Sequence, residues 1–472
     1  MNKKIDEKLI ENWDFSFQEM RKEIDFIIEL LTKVFKKHST KKLYQISIKI
    51  KEIIKTKNDK ELYVYIKKIS TNLTDVEFLY MCRYFAYHEL LTNLVEDIYQ
   101  TSYENKWEDN YSNEKNYLIK FFNGFKRTNK NLNQLKNIDI SIVLTAHPTQ
   151  VVRETILKIT RKIMEYLDIE TSYNSLFNIH LLDKKENLEV LIDILWQVAI
   201  LRDKKISVFD EIKSILSYFD TTFFSIIPKI NYKFNQLLFE NYQLNLNDNI
   251  PIKISSWIGG DRDGNPFIDA DSLEIAFKLQ VEKLFSFYFS KIANLYYDLL
   301  IHVSVSEIDR KIIKFSQEIN LENRANEPYA KAILKINTKL FNTLKYLVKN
   351  NNVNNYLTLV ELNEKYKNYS EFLDDLNLIL NSLKNNNSYQ IAKRNLVDLI
   401  YSVKIFEFHL MTIDIRQNST QHEMTINEIL KENSICESYK NLNFNNKKIL
   451  LLDFLTNKKD FYNFTIPDST KK

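Results

Sequence analysis

The residues best suited to chemistry surround His147, where a strand pattern gives way to a helix pattern. An apolar run over Ile138–Leu144 stops at a polar corner that contains His147, and apolar residues then recur at helical spacing. Arg153 follows near the first turns of that helix. Because α/β proteins bind anions where strands lead into helices, the pattern favours a functional histidine over a structural one. It predicts proton transfer or charge stabilisation on a phosphorylated or carboxylated substrate.

A second candidate is the glycine-containing loop that follows the apolar run Ile252–Ile258. The whole chain has only four glycines, and three of them fall in this loop: Gly259, Gly260 and Gly264. Their spacing fits neither a dinucleotide fingerprint nor a Walker loop, and no Gly-Lys-Ser/Thr motif is present. A tight turn would explain the glycines alone, since glycine readily takes positive φ.

The charges in the same loop favour a functional role over a simple turn. Asp261, Arg262 and Asp263 alternate in sign along the loop. In a site, the Arg262 guanidinium would bind an oxyanion, while the two carboxylates would orient basic partners.

Arg416 closes a third apolar run, Leu410–Ile415. It could merely pair with Asp414, because alternation places both side chains on one side of a strand. A guanidinium at a strand end can instead clamp a phosphate through two N–H groups, and we favour that interpretation. His409 and His422 share no ligand spacing and are interpreted as structural or surface residues. The sequence contains no recognisable metal-binding motif.

Helical patterns occupy most of the remaining chain. They predict helices over Thr74–Tyr99, Leu273–Leu300 and Arg394–Phe406, the first two preceded by capping sequences that begin at Thr74 and Asp271. Short strands separated by long helices predict parallel pairing through helical crossovers, with function at the carboxyl ends of the strands.

The predicted fold is therefore mostly α with a βα-barrel core. Three strands cannot close a TIM-type barrel of about eight, so we expect an incomplete barrel surrounded by many helices. We expect one domain, with a helical N-terminal region over residues 1–135 and the incomplete barrel with its helical insertions over residues 136–472.

Composition excludes several classes of protein. The 66 basic and 62 acidic side chains leave a net charge of +4, which gives no reason to expect a nucleic-acid or membrane surface. Two cysteines cannot form a disulfide framework, and no stretch has the uninterrupted apolar length of a membrane span. We expect a soluble, cytoplasmic protein.

Three motifs together resemble the hallmarks of the phosphoenolpyruvate carboxylase family. They are Val143–Arg153, Ser256–Pro266 and Ile413–Thr420. They occur in the family's order and at family-like spacing, across essentially the whole chain. The resemblance implies a β-barrel enzyme wrapped in helices, normally a homotetramer, that uses Mg²⁺ or Mn²⁺.

The resemblance also implies a reaction and residue roles. Phosphoenolpyruvate and bicarbonate would give oxaloacetate and inorganic phosphate, through carboxyphosphate and the enolate of pyruvate. By motif match, His147 is the catalytic histidine of the carboxylation stage, and Arg416 holds the phosphoryl oxygens. Arg153 and Arg262 are assigned to substrate or phosphate binding. The supporting loop comprises Gly259, Gly260, Asp261, Asp263 and Gly264.

The chain also departs from the family pattern. Glu154 stands where a second basic residue is common, and Asn418 stands where glutamate is usual. Family members are about twice as long, and their second half supplies the metal-binding carboxylates, a catalytic lysine and a mobile loop. We therefore expect a truncated chain, with the metal ligands in the missing half and with weak or absent activity of the 472 residues alone.

Two alternatives come from other functional classes. The chain could be a non-catalytic half that assembles with a separate C-terminal polypeptide. It could also be a phosphohistidine transferase with His147 as the phosphorylated nucleophile, although the sequence has no nucleotide-binding loop.

Overall fold

The structure is a computed structural model of the whole chain that divides into two compact units. It describes residues 2–56, 58–110, 124, 135, 137–145, 153–167, 179–199, 207–246, 249–263, 265, 267–349, 354–456 and 464–466. The first unit comprises Met1–Phe121 and Val152–Lys205, and the second comprises Phe122–Val151 and Ile206–Lys472. The described residues 153–167 and 179–199 thus belong to the same unit as the N-terminal helices, while the organisation as one domain stays a prediction.

All the regular secondary structure in the described part of the first unit is helical. Its helices are α1 (Asn2–His38), α2 (Lys41–Lys55), α3 (Asp59–Ser70), α4 (Asp75–Asn110), α5 (Glu154–Leu167) and α6 (Ile179–Gln197). The predicted capping box at the start of α4 is confirmed, because the Glu77 backbone N–H donates to Thr74 Oγ1 at 3.2 Å and the Thr74 N–H donates to Glu77 Oε2 at 3.0 Å. Buried apolar side chains of α1, α4, α5 and α6 form one core, which includes Leu31, Tyr84 and Trp196.

A charged cluster fastens α6 to the end of α1. Lys37 Nζ donates to Asp193 Oδ2 at 2.6 Å, and His38 Nε2 lies 2.6 Å from Asp193 Oδ1. Only 18% of the Asp193 side chain is exposed. The hydrogen bond from Lys37, followed by those from His38 and Gln197, lowers the pKa of Asp193 from its ordinary value.

We expect Asp193→Asn to lower the free energy of unfolding at neutral pH by about 1.5–3 kcal/mol, the value of a hydrogen bond to a charged group. A folded-state pKa below the unfolded value stabilises the fold above the unfolded pKa, and this stabilisation is lost as pH falls through the folded pKa. The difference between the variant and the parent should therefore shrink as pH falls below about 4 and vanish once pH lies below the lowered pKa of Asp193. Urea unfolding of the variant and the parent at several pH values measures this difference in stability.

Glu52→Gln is the control, because its partner Lys49 is 3.4 Å away and both side chains are largely exposed. An unchanged difference at low pH would contradict the prediction.

The second unit combines a small sheet with many helices. Its strands are β1 (Ile140–Leu144), β2 (Ile252–Ser256) and β3 (Thr412–Ile413). Its helices are α7 (Val208–Tyr218), α8 (Phe224–Tyr242), α9 (Ala270–Asp298), α10 (Arg310–Ser316), α11 (Pro328–Leu347), α12 (Tyr369–Asn385), α13 (Tyr389–Phe406), α14 (Ser419–Glu432) and α15 (Phe444–Thr456). A π-helical turn, Phe219–Phe223, joins α7 to α8.

The three predicted strands are present and parallel, in the order β1-β2-β3. Ile140 pairs with Ile252 at one end of the first ladder, and Leu144 pairs with Ser256 at the other. The second ladder is short, because β3 is two residues long and pairs only with the end of β2. The protein is thus mostly helical with a small parallel sheet, and the incomplete barrel stays a prediction.

Helix α9 begins earlier than its sequence suggests. The predicted cap at Asp271 is wrong, because Asp269 accepts a hydrogen bond from the Ser272 N–H at 2.8 Å and the Asp269 N–H bonds back to Ser272 Oγ. Glu274, which would have completed the predicted box, pairs with Lys278 instead. The helix starts where an acidic residue has a reciprocating hydroxyl three residues later.

The core of the second unit forms around α9, α11, α12 and α13. Fully buried aromatic residues dominate it, including Phe285, Tyr288, Phe289, Phe372 and Phe406. A separate small cluster of Leu430, Tyr439 and Phe454 lies near the C-terminal helices. Among the described helices, none is both long enough and apolar enough to cross a membrane.

Candidate functional site

The candidate site lies where β2 and β3 end, because parallel strands place their carboxyl ends at one edge of a sheet. Backbone pairing continues beyond β3: the Asp414 N–H donates to Ser256 O at 2.9 Å and the Arg416 N–H donates to Gly260 O at 3.0 Å. The Arg262 N–H in turn donates to Arg416 O at 2.8 Å. The structure thereby brings together two regions that the sequence selected separately, the loop after β2 and Arg416.

Two glycines allow this close approach. Gly259 has φ +84°, and a Cβ there would lie 2.9 Å from Ala276 Cβ on α9. At Gly260, a Cβ would lie 2.6 Å from both the backbone oxygen of Asp414 and the Cγ2 atom of Ile413. Only glycine therefore lets the loop contact α9 on one side and the β3 segment on the other.

Gly260→Ala should lower the free energy of unfolding by about 1–3 kcal/mol, as expected for overpacking against a backbone atom that cannot rotate away. It should also move the loop off the β3 segment and break the hydrogen bond that the Arg416 N–H donates to Gly260 O. Thermal unfolding measures the first effect. Gly124→Ala is the matched control, because a Cβ at Gly124 meets nothing within 4 Å. Equal stabilities for the two variants would contradict the predicted clash.

The side chain of Arg416 is held by the loop. Its Nη1 donates to Asp261 Oδ2 at 3.1 Å, and its Nη2 lies 3.9 Å from Asp263 Oδ2. The guanidinium carbon stands 4.3 Å from the ring centroid of Trp257, a distance at which cation–π attraction operates. The described ion pairs of Arg416 are thus with the loop and not with the neighbouring Asp414, which was the simpler alternative.

This arrangement leaves Arg416 available to a ligand. A guanidinium has five N–H donors, of which one bonds Asp261, and 43% of the side chain is exposed. Trp257 and Asp261 fix the orientation of the guanidinium plane before any ligand arrives. Such a fixed fork matches two oxygens of a phosphate or carboxylate.

Arg262 contributes its backbone to the pairing and its charge to the loop. The residue as a whole is half-buried. The pKa of Asp269 is lowered from its ordinary value, first by hydrogen bonds from Ser272 and to a smaller extent by the positive charge of Arg262. The two loop carboxylates, Arg262 and Arg416 nearly balance in charge, so an anion would meet oriented donors and not a large positive field.

The end of β1 lies at the same edge. Leu144 O accepts from the Trp257 N–H at 3.0 Å and from Ser256 Oγ at 3.2 Å, which ties this strand end to the start of the loop. His147, three residues beyond Leu144, and Gly264 lie outside the described residues. Their predicted roles stay predictions.

Arg153 belongs to the first compact unit, whereas Arg416 and the loop belong to the second. Arg153 is half-buried and comes immediately before α5, and its carbonyl accepts from the Leu157 N–H at 3.1 Å.

The departure from the family pattern at Glu154 has a local structural explanation, because Glu154 lies in the first turn of α5 and pairs with Lys158 at 2.7 Å.

The departure from the family pattern at Asn418 also has a local structural explanation. Asn418 is the N-cap of α14, and its side chain accepts a hydrogen bond from the Thr420 N–H at 2.9 Å. This helix begins three residues after Arg416, so Asn418 fixes the chain direction beyond the site.

Sequence reasoning missed Trp257 as a member of the site. Trp257 stands directly before the glycine loop, in the second family-like motif, but nothing local shows that an arginine from another strand lies over its ring. The only hint in the sequence that Trp257 belongs to the site was its position near the end of a predicted strand.

The described residues fit an anion better than a cation. Among them, no group of three or more His, Cys, Asp or Glu side chains could hold a metal ion. The carboxylates nearest the strand ends, Asp261 and Asp263, face the Arg416 guanidinium. A divalent cation would have to displace that pairing.

Comparison with known families agrees with the motifs at the strand ends. The family model described as phosphoenolpyruvate carboxylase matches residues 20–472, nearly the entire chain. The match includes both compact units and all three strands. The chain belongs to the phosphoenolpyruvate carboxylase family.

Proposed function

We propose that this chain binds phosphoenolpyruvate at the carboxyl ends of its strands and serves its carboxylation to oxaloacetate. One observation carries the proposal: an exposed, pre-oriented Arg416 guanidinium, held over Trp257 by Asp261, at the end of a parallel strand. Family membership supports a carboxy-lyase of this type. The enol phosphate offers the oxygens that such a guanidinium binds through two parallel hydrogen bonds.

The proposed chemistry has three steps. A bicarbonate oxygen attacks the phosphorus of phosphoenolpyruvate, and the bond between phosphorus and the enol oxygen breaks with its electrons left on the enolate. The resulting carboxyphosphate loses its proton and separates into CO₂ and inorganic phosphate. The methylene carbon of the enolate then attacks CO₂ and forms oxaloacetate. His147 would accept the proton of carboxyphosphate, in the role that the motif assigns to it.

Arg416 would act mainly in the first step. Negative charge spreads over the phosphoryl oxygens as the group is transferred, and a donor already aimed at them stabilises this charge without reorganising. The Asp261 contact holds the guanidinium in place but does not cancel its charge at the exposed face. Arg262 would support binding of the same anion.

Family members use a divalent cation, Mg²⁺ or Mn²⁺, to stabilise enolate and phosphoryl oxygens. The described carboxylates near the site do not fit this role, because Arg416 already pairs with them. We therefore assign no ligand for the cation and no step to it. A homotetramer in the cytoplasm completes the proposal, and the two unpaired cysteines support a reducing compartment.

Isothermal titration calorimetry of the purified chain with phosphoenolpyruvate tests the binding. Saturable binding that inorganic phosphate competes for is expected. Oxaloacetate formation, coupled to malate dehydrogenase with bicarbonate and Mg²⁺ present, tests turnover in parallel. Absence of both binding and turnover in a folded, monodisperse sample would refute the proposal.

Assembly with a separate polypeptide is the second candidate, and the exposure of β1 favours it. Ile140 is 51% exposed, and Ile142 and Val143 are also exposed, which is unusual for apolar strand residues. A partner that covers β1 would raise activity when mixed with the chain and would co-elute with it in size-exclusion chromatography. Full activity of the chain alone would remove this candidate.

A further inference from the structure

A strained turn precedes the strand that carries Arg416. Helix α13 ends at Phe406, and β3 begins at Thr412. Within these few residues Glu407 has φ 47° and Leu410 has φ 69°, values that non-glycine residues rarely adopt. Such conformations persist only where surrounding contacts determine them, and they concentrate at functional sites.

Two buried side chains of α9 hold this turn. Tyr288 is fully buried, and its hydroxyl donates to Glu407 O at 2.8 Å. Gln280 is 1% exposed, and its side-chain nitrogen, in the amide orientation that satisfies its surroundings, donates to His409 O at 2.8 Å and Met411 O at 3.1 Å. These bonds reach three carbonyls of the turn, at the first strained residue and on both sides of the second.

The tyrosine is a permanent donor. Burial, and to a smaller extent the negative charge of Glu407, raises the pKa of Tyr288 well above its ordinary value. The hydroxyl therefore stays protonated at neutral pH, and the bond to Glu407 O persists there. Gln280 has no charge to lose. The bonds from Tyr288 and Gln280 thus involve no ionised side chain, whereas the turn itself carries one titratable pair, His409 Nδ1 and Glu407 Oε2, 3.6 Å apart.

Helix α9 also contacts the glycine-containing loop after β2, which supplies the partners of Arg416. Ala276, one turn before Gln280, is fully buried and lies against Gly259, where any larger side chain would meet the loop. Helix α9 therefore contacts the loop that holds Asp261 and the turn that leads to Arg416. A shift of the turn relative to α9 would change the distance between Arg416 and its loop partners.

We propose that Gln280 and Tyr288 are positioning residues, which hold the turn before β3 so that the Arg416 guanidinium stays over Trp257 and against Asp261. The inference rests on the proposed function, because it names what places the phosphate-binding arginine. Neither residue touches the ligand. Their effect is transmitted through the backbone of the turn and the short strand β3.

The test uses the full chain labelled with 5-fluorotryptophan. The chain has four tryptophans, and Trp257→Phe assigns the ¹⁹F resonance of Trp257. Tyr288→Phe removes one buried hydroxyl, and Gln280→Leu removes the amide. Tyr329→Phe is the matched control, because Tyr329 is equally buried in the same unit and its hydroxyl bonds Ser382 Oγ at 2.6 Å, remote in sequence from β3.

We expect Tyr288→Phe and Gln280→Leu to shift or broaden the Trp257 resonance without ligand, and Tyr329→Phe to leave it unchanged. Phosphoenolpyruvate affinity should fall about fivefold in the first two variants, the effect of one net hydrogen bond. An unmoved Trp257 resonance in both variants, or an equal change in the control, would overturn the inference. If the parent chain binds no phosphoenolpyruvate, a shifted resonance still sustains the positioning role while the proposed function fails.

Discussion

Arg416→Gln should weaken phosphoenolpyruvate binding by about 10- to 100-fold, the range that corresponds to losing a charge-assisted hydrogen bond. Glutamine keeps much of the length of the side chain but removes the charge and the two-pronged donor. It also removes the cation from the face of Trp257 and leaves Asp261 without its arginine. Calorimetric titration of the variant and the parent gives the ratio of affinities.

The control for lost charge is Arg394→Gln. Arg394 is 76% exposed and pairs with Asp298 at 3.5 Å in the same unit. Its replacement removes one arginine and leaves one aspartate without that partner, as at Arg416, but at the other end of α9 from the loop contact. We expect parental affinity in this variant. Equal losses in the two variants would show that net charge, and not the site at the strand ends, governs binding.

Arg416→Lys separates charge from geometry. Lysine retains the positive charge, but its ammonium is a compact point charge that cannot bind two oxygens through a planar fork. Its affinity should lie between those of the parent and the glutamine variant. Parental affinity in Arg416→Lys would mean that the planar two-pronged donor has no role in binding.

His147→Asn should strongly lower the rate of oxaloacetate formation while leaving phosphoenolpyruvate affinity within about twofold of the parent, because it removes a proton acceptor and not the phosphate-binding arginine. Loss of a general base typically lowers a rate by about 10²–10⁴-fold. The coupled assay with malate dehydrogenase, at high enzyme concentration, measures turnover, and calorimetry measures affinity.

The same variant decides between carboxylation and histidine phosphorylation. If His147 is a phosphorylated nucleophile, labelled phosphoenolpyruvate should leave acid-labile ³²P on the parent chain and none on His147→Asn. We expect no such label. Its appearance would replace the carboxylation mechanism with phosphotransfer, and unchanged turnover in the variant would remove His147 from the chemistry.

Much of the local structure was predictable because it depends on neighbours in sequence. The apolar runs before the polar corners gave strands that begin within two residues of Ile138, Ile252 and Leu410. The cap at Thr74 was predictable for the same reason, since both of its partners lie within four residues. The cap of α9 was not, because two acidic residues competed and the choice depended on the Ser272 hydroxyl.

The interior of the site was predictable only in part. Parallel pairing implied that the loop after β2 and Arg416 would meet, and they do. The choice of Asp261 over Asp414 as the partner of Arg416, and the position of Trp257 beneath the guanidinium, depend on how a two-residue strand ends. The positioning role of Gln280 and Tyr288 was also not predictable from sequence. A glutamine and a tyrosine in an aromatic-rich helix resemble ordinary core residues until the backbone carbonyls that they bond are known.

The most direct test of phosphoenolpyruvate binding at the strand ends is a ¹⁹F titration of the 5-fluorotryptophan-labelled chain. Trp257 should respond, because its ring lies against Arg416. We predict a saturable shift of the Trp257 resonance that is absent in Arg416→Gln. A saturable shift of another tryptophan with Trp257 unmoved, or no shift at any ligand concentration, would contradict binding at this site.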